Sequence, residues 1–165
     1  MERRAAATGS AVFFAAAPGV AAGLAPWALT GWRVGGSGAP VAARLAGWVL
    51  VVAGAAVLVA AYARFAREGR GTPAPVAPTE VLVVGGLYRY VRNPMYLAVL
   101  SVVAGQALVL WRPVLVAYGV ALAVAFVAFV LGYEEPTLRR RYGPGYDDYR
   151  AAVPGWRPRL RPWAP

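Results

Sequence analysis

Long apolar runs, separated by short basic or Gly/Pro-rich breaks, dominate the chain. A run of about 20 apolar residues suffices to cross the hydrocarbon of a bilayer. Four stretches qualify, at about residues 11–32, 45–65, 94–111 and 114–133. Pro18, Gly19, Gly23 and Pro26 interrupt the first and predict a kinked helix. Gly35 to Pro40 forms a Gly-rich loop. Arg64, Arg67, Glu68 and Arg70 close the second span. Thr72 to Thr79 reads as a Pro-rich linker, and Glu80 to Val84 as a short strand-like or irregular piece ended by Gly85-Gly86. Arg112-Pro113 makes a tight turn between the third and fourth spans. From Glu134 onward the chain is polar and basic. Within it, Leu138, Tyr142, Tyr146, Tyr149 and Val153 recur at helical spacing, with Arg139, Arg140, Asp147, Asp148 and Arg150 off that stripe. Gly143 and Pro144 break this helix midway. The stripe predicts an interfacial helix lying on the membrane, and is compatible with a tail that folds back over a site. The fold class is an all-α integral membrane protein of about four transmembrane helices. Its last two spans form a tight helical hairpin, followed by a cytoplasmic or interfacial helical tail. The whole of 1–165 forms one membrane domain.

Composition narrows the functional classes. Hydrophobic residues make up 59% and charged ones 15%, whereas soluble domains are about a quarter charged. Cys and His are absent, which excludes disulfides, thiol catalysis, Ser-His-Asp chemistry and thiolate or imidazole metal sites. All 17 basic residues are Arg, and the net charge is +10. With the N-terminus in the cytoplasm, only Arg33, Arg44 and Arg112 lie outside, a strong positive-inside asymmetry. Both termini are then cytoplasmic. The arginine excess reports topology and anionic headgroups rather than nucleic acid. An Ala/Val/Arg/Gly/Pro-rich chain without Lys points to a high-GC bacterium and its cytoplasmic membrane. Met1-Glu-Arg-Arg, an apolar run and Ala15-Ala16-Ala17 have the layout of a signal peptide. The run continues well past those alanines, favouring an uncleaved first span.

Hairpin arithmetic places the candidate chemistry. Asn93 lies 19 residues before Arg112, and Glu134 lies 21 after Pro113. At about 1.5 Å per residue the arms are about 29 and 31 Å long. Tyr88, Arg92, Asn93 and Tyr96 therefore face Glu134 and Glu135 at one mouth. Asn93-Pro94 is a good helix start, and helix starts attract anions. Asn93 is equally a plain cap, Arg89 and Arg92 plain positive-inside anchors, and Tyr88, Tyr90 and Tyr96 plain interfacial aromatics. Glu134-Glu135 ends an apolar helix, where the macrodipole opposes negative charge. The pair either binds Arg139 to Arg141 or receives a cationic or hydroxyl-bearing ligand. The middle of every predicted span lacks Asp, Glu and Arg. That favours an enzyme over a four-span transporter subunit or scaffold.

Gly86-Leu-Tyr-Arg-Tyr-Val-Arg-Asn-Pro-Met-Tyr96, a helical hairpin, Glu134-Glu135-Pro-Thr-Leu138, then Tyr142-Gly143 with Tyr146, Tyr149 and Val153-Pro154, resembles the isoprenylcysteine carboxyl methyltransferases. The related phospholipid methyltransferases share the architecture. The resemblance covers roughly Glu80 to Trp156 and implies a membrane methyltransferase using S-adenosylmethionine, with S-adenosylhomocysteine as product. By position, it assigns the cofactor to Glu80, Val81, Leu82, Val83, Tyr88, Asn93, Pro94, Met95, Tyr96 and Glu134. It implies a lipophilic small-molecule or isoprenoid-type carboxylate entering from the bilayer and O-methylated at the cytoplasmic face. N-methylation of a phospholipid or other amine is the alternative. Arg92 is the candidate to orient an anionic head and Glu135 a candidate base, the two catalytic assignments. Asn93 stands where the family has His, keeping donor and acceptor capacity without titrating. Val130 stands where eukaryotic members carry an arginine that contacts substrate. Neither a metal nor nucleic acid is expected.

Overall fold

The computed structural model describes residues 16–36, 38–68 and 82–164. The residues before Ala16, the Thr72–Thr79 linker, Glu80 and Val81 lie outside the described residues. A first helical run, α1, covers residues 16–30. The break expected around its prolines is a π turn over Val20–Leu24, in which the Ala25 N–H reaches back to Val20 O. This diverts the usual donor of the Ala21 carbonyl, and Pro26 has no N–H to offer either Ala21 or Ala22. Side chains from two other helices supply what is missing. The Tyr118 hydroxyl donates to Ala21 O at 2.8 Å, and Gln106 Nε2 to Ala22 O at 2.6 Å. Gly31, at φ +56°, caps α1 in the left-handed conformation.

Helix α2 is Val41–Glu68 and α3 is Pro94–Leu110. They run antiparallel and almost touch along their backbones. A Cβ on Gly47 would lie 2.7 Å from Gly105 O, and one on Gly54 would lie 2.8 Å from Ala98 O. Ser101 Oγ, between these contacts, donates to Leu50 O at 3.0 Å. Small residues allow such approach where burial from water cannot drive association.

Trp111, left-handed at φ +52°, ends α3; extended Arg112 then leads into Pro113, the first residue of α4 (Pro113–Phe129). The predicted hairpin is therefore present. Helix α4 continues through a π turn, Val130–Glu134, into α5, Glu135–Tyr142. At the turn end of the hairpin, Arg112 Nε donates to Arg33 O at 3.0 Å and Gly35 N to Leu110 O at 2.8 Å. The loops after α1 and after α3 thus share one end of the molecule.

Four full spans are more than the described residues provide. Val41–Ala61 and Pro113–Tyr142 are long and apolar enough to cross a membrane; Pro94–Leu110 is a shorter apolar helix. Its 17 residues reach about 26 Å against a hydrocarbon thickness of about 30 Å. The limits are chemical: Pro94 cannot donate into a preceding turn, and the left-handed Trp111 closes the other end. Leu45, Val49, Val52 and Val59 on α2, and Val116, Val120 and Val124 on α4, remain exposed, as lipid-facing positions should.

The tail departs from its expected setting. Gly143 (φ +55°, ψ −134°) separates α5 from α6, Pro144–Ala152, where the break was predicted. The apolar stripe, however, does not face outward. Tyr146, Tyr149 and Val153 are buried to 3% exposure or less and pack with Leu82, Val84, Leu138, Tyr142 and Trp163. Leu82 to Val84 is irregular backbone, and no strand occurs among the described residues.

Candidate active site

The loop that enters α3 is short and tied down. A 3-10 turn over Gly86–Arg89 begins at Gly86, φ +57°. The C-terminal tail lies along the next residues through backbone bonds. Arg92 N donates to Pro154 O at 2.9 Å, Asn93 N to Gly155 O at 3.3 Å, Arg159 N to Tyr90 O at 2.9 Å and Trp163 N to Arg89 O at 2.9 Å. The fit is closest at Gly155, where a Cβ would stand 3.2 Å from Arg92 Nη2 and 3.4 Å from Asn93 Nδ2.

Arg92 is the hub of this docking. Its Nε donates to Val153 O at 2.8 Å; its Nη1 reaches Glu135 Oε1 at 2.6 Å and the Tyr146 hydroxyl at 3.1 Å. The other Glu135 oxygen takes Arg150 Nε at 3.1 Å. Both Glu135 oxygens are thus held by guanidinium groups, and the side chain is 10% exposed. Pairing of the glutamates with Arg139 to Arg141 does not occur among the described contacts. Arg139 instead meets Asp147 at 2.6 Å on the surface.

Glu134 has a different setting. It is half-buried, and its Oε2 accepts from the Tyr96 hydroxyl at 2.8 Å. Its second oxygen has no hydrogen-bond partner among the described residues. The Tyr96 ring lies 4.7 Å from that of Phe126 and 6.2 Å from that of Trp156, centroid to centroid. Tyr88 is buried nearby, and its carbonyl accepts from the Tyr149 hydroxyl at 2.7 Å. Burial, reinforced by the negative charge of Glu134, pushes the Tyr88 hydroxyl well above the usual tyrosine range. It stays a neutral donor. Tyr149 is raised too, chiefly by burial and against the opposing effect of Arg92.

Asn93 corrects one expectation. It occupies the cap position of α3, yet its side chain makes no capping bond. It is 7% exposed, and Nδ2 is buried without a hydrogen-bond partner. An orphaned buried donor costs about 1–3 kcal/mol unless a ligand or water accepts from it.

The candidate positions therefore divide. Tyr88, Arg92, Asn93, Tyr96, Glu134 and Glu135 converge as the hairpin arithmetic requires. Val83 and Met95 pack with Tyr88 and Ala61 in a small apolar cluster, whereas Leu82 packs beneath the tail. Pro94 faces the other side of α3. There it lines an apolar cleft of about 550 Å³ with Gly54, Val57, Leu87, Val91 and Pro158. Sequence reasoning missed Phe126, Trp156, Gly155 and the bond from Arg150. For Phe126 a signal was available: it precedes Val130 and Glu134 at steps of four along one helix. Val130 is buried, 1% exposed, inside the π turn.

The donor set suits the implied cofactor. The second Glu134 oxygen can accept from a ribose hydroxyl or an amino group, and Asn93 Nδ2 can donate to a carboxylate. Among protein-family models, that of the phospholipid methyltransferases matches residues 42–145, most of the chain. The chain belongs to the phospholipid methyltransferase family. This is the family named above as related to the isoprenylcysteine carboxyl methyltransferases, which the motifs resemble. The phospholipid methyltransferase match runs from the start of α2 into α6, so the docked segment from Tyr146 onward lies beyond it. No curated protein and no solved structure matches the chain.

Proposed function

We propose that this protein is an S-adenosylmethionine-dependent methyltransferase that N-methylates a lipophilic amine at the cytoplasmic face of a bacterial membrane. The observation that carries the reading is the environment of Glu134. A carboxylate with one uncommitted oxygen stands among aromatic rings at the mouth of the α3–α4 hairpin. The carboxylate acceptor implied by the prenylcysteine resemblance is less well served. Arg92 and Arg150 are committed to Glu135, and the position of the family's substrate-contacting arginine is the buried Val130. Arg92 and Glu135 accordingly act as positioning residues that hold the tail, in place of the catalytic roles first assigned to them. The apolar cleft beside Pro94 and Val91 supports an acceptor with a hydrocarbon tail.

The bound cofactor supplies an electrophilic methyl group on a sulfonium. Asn93 Nδ2, a buried donor without a partner, would hold the cofactor's carboxylate, and Tyr88 and Tyr96 would lie beside its sulfonium. The acceptor would be a neutral amine, whose nitrogen gains the methyl group and then carries a surplus proton. The proton then released from nitrogen passes to the uncommitted oxygen of Glu134 or to water. Positioning and exclusion of water carry most of the acceleration.

The test is methyl transfer from labelled S-adenosylmethionine, with the detergent-purified protein, to ethanolamine-headgroup lipid and to farnesylcysteine. Methylated amine is expected, at a rate that rises with pH as the amine loses its proton. A base-labile methyl ester as sole product would return the carboxylate reading to first place. Cysteines introduced at Val34 and Ala151 should label from opposite sides of the membrane, Ala151 from the cytoplasm. Labelling of both from one side would overturn the proposed topology.

A further inference from the structure

We propose that Trp156, supplied by the tail beyond the family match, is a ligand-binding residue that reads the positive charge of the cofactor; this rests on the cofactor reading above. Tyr96 joins a second ring, Phe126, and a carboxylate, Glu134, contributed by α3, α4 and the π turn. Trp156 adds a third aromatic wall, 6.2 Å from Tyr96 and tilted by 37° to it.

The placement is enforced. Pro154 and Gly155 accept hydrogen bonds from the backbone of Arg92 and Asn93, the residues that lead into α3. Val153, one step earlier, is 1% exposed in the tail cluster and accepts from Arg92 Nε through its carbonyl. Gly155 leaves no slack beside Arg92 and Asn93. Tail residues on both sides of Trp156 are thus pinned to the loop that builds the site. Simple burial of an apolar ring does not call for this arrangement, because Trp156 keeps partial exposure and its nearest described ring is the one bonded to Glu134.

Tyr96 thus joins two further rings, Phe126 and Trp156, to a carboxylate, Glu134, and such a set suits an organic cation. Tryptophan offers the strongest aromatic face for such a charge, and the attraction grows where water is excluded. The methyl-bearing sulfonium is a cation of this kind, and it loses its charge on becoming a thioether. Trp156 therefore favours the reactive cofactor over the product. It serves as a specificity-determining residue at the reacting end.

Calorimetric titration of the full chain with S-adenosylmethionine and S-adenosylhomocysteine tests this, because the two ligands differ by one methyl group and one charge. Trp156→Ala should weaken the sulfonium ligand about fivefold or more and leave the thioether within about twofold. Trp156→Phe should keep most of the preference, since an aromatic face remains. Equal losses for both ligands in Trp156→Ala would make Trp156 a packing residue and overturn the proposal, as would no change for either. Binding of neither ligand by the unsubstituted protein would remove the cofactor reading and this inference with it. Protease resistance of the tail, measured on the same samples, separates a lost ring from a lost fold.

Discussion

Glu134 and Glu135 are neighbours in sequence with identical side chains, yet they lie in opposite surroundings. Glu135 is saturated: two guanidinium groups take its two oxygens, and its partner Arg92 also holds a tyrosine hydroxyl and a backbone carbonyl. Glu134 is under-committed: one tyrosine hydroxyl, aromatic rings alongside, and one oxygen without a partner among the described residues. A carboxylate with both oxygens held by guanidinium groups is tied into the structure and screened from a ligand. An under-committed one keeps capacity for chemistry, and the fold offsets its desolvation elsewhere. Charge alone therefore does not mark the reactive group; the count of satisfied acceptors does.

Substitutions at the two positions should fail differently. The largest effect belongs to Glu135→Gln, which leaves Arg92 nearly buried and without its counter-ion. Removing one partner of such a pair costs about 3–5 kcal/mol. Early loss of protease resistance in the tail and a lower melting temperature are expected; an unchanged melting temperature would show that the clamp does not hold the tail. Glu134→Gln should spare the fold and weaken S-adenosylmethionine at least tenfold, about 1.4 kcal/mol, read by calorimetry. Equal affinity would take Glu134 out of the site.

An effect smaller than that of Glu135→Gln is also expected for Tyr149→Phe, which strips the buried Tyr88 carbonyl of a donor. The cost is about 1–3 kcal/mol, seen in thermal unfolding with cofactor affinity largely kept. The smallest is an alkaline effect. Tyr88 and Tyr149 have hydroxyls raised by burial in the folded protein, whereas a free tyrosine ionises near pH 10. The folded state thus holds its protons longer than the unfolded one. The associated stability is complete below about pH 10 and falls above it, as the unfolded chain ionises first. Tail protection that persists unchanged well above that pH would contradict the burial of these hydroxyls.

Much of this arrangement was legible from residues alone. The hairpin followed from counting, because Arg112-Pro113 admits one kind of connection and the two arms are nearly equal. The break at Gly143-Pro144 and the stripe from Leu138 to Val153 followed from helical period. The stripe's partner did not, since the same amphipathic pattern suits a bilayer surface and a protein groove equally. Arg92 and Glu135 were placed at one mouth as separate catalytic groups, and spacing could not show that they bind each other. Trp156 was beyond reach for another reason: only tertiary docking at Gly155 carries it back to Tyr96, 60 positions earlier in the sequence. The π turns were also invisible, although Pro26 explains the first once seen.

The second of those turns decides which carboxylate does what. A π turn is an α-helix with one extra residue accommodated in it, and one residue corresponds to about 100° of rotation. Here the Glu135 N–H reaches Val130 O across that widened turn. Gly132, with open space around its would-be Cβ, sits at its centre. Deleting that glycine would restore ordinary winding and turn everything downstream by about a quarter of a circle relative to Tyr96. The two glutamates would then exchange neighbours or lose them. A gain or loss of a single codon in this stretch is thus a switch of chemical identity between two equal side chains. The division of labour at the mouth is written in the length of the helix as much as in its letters.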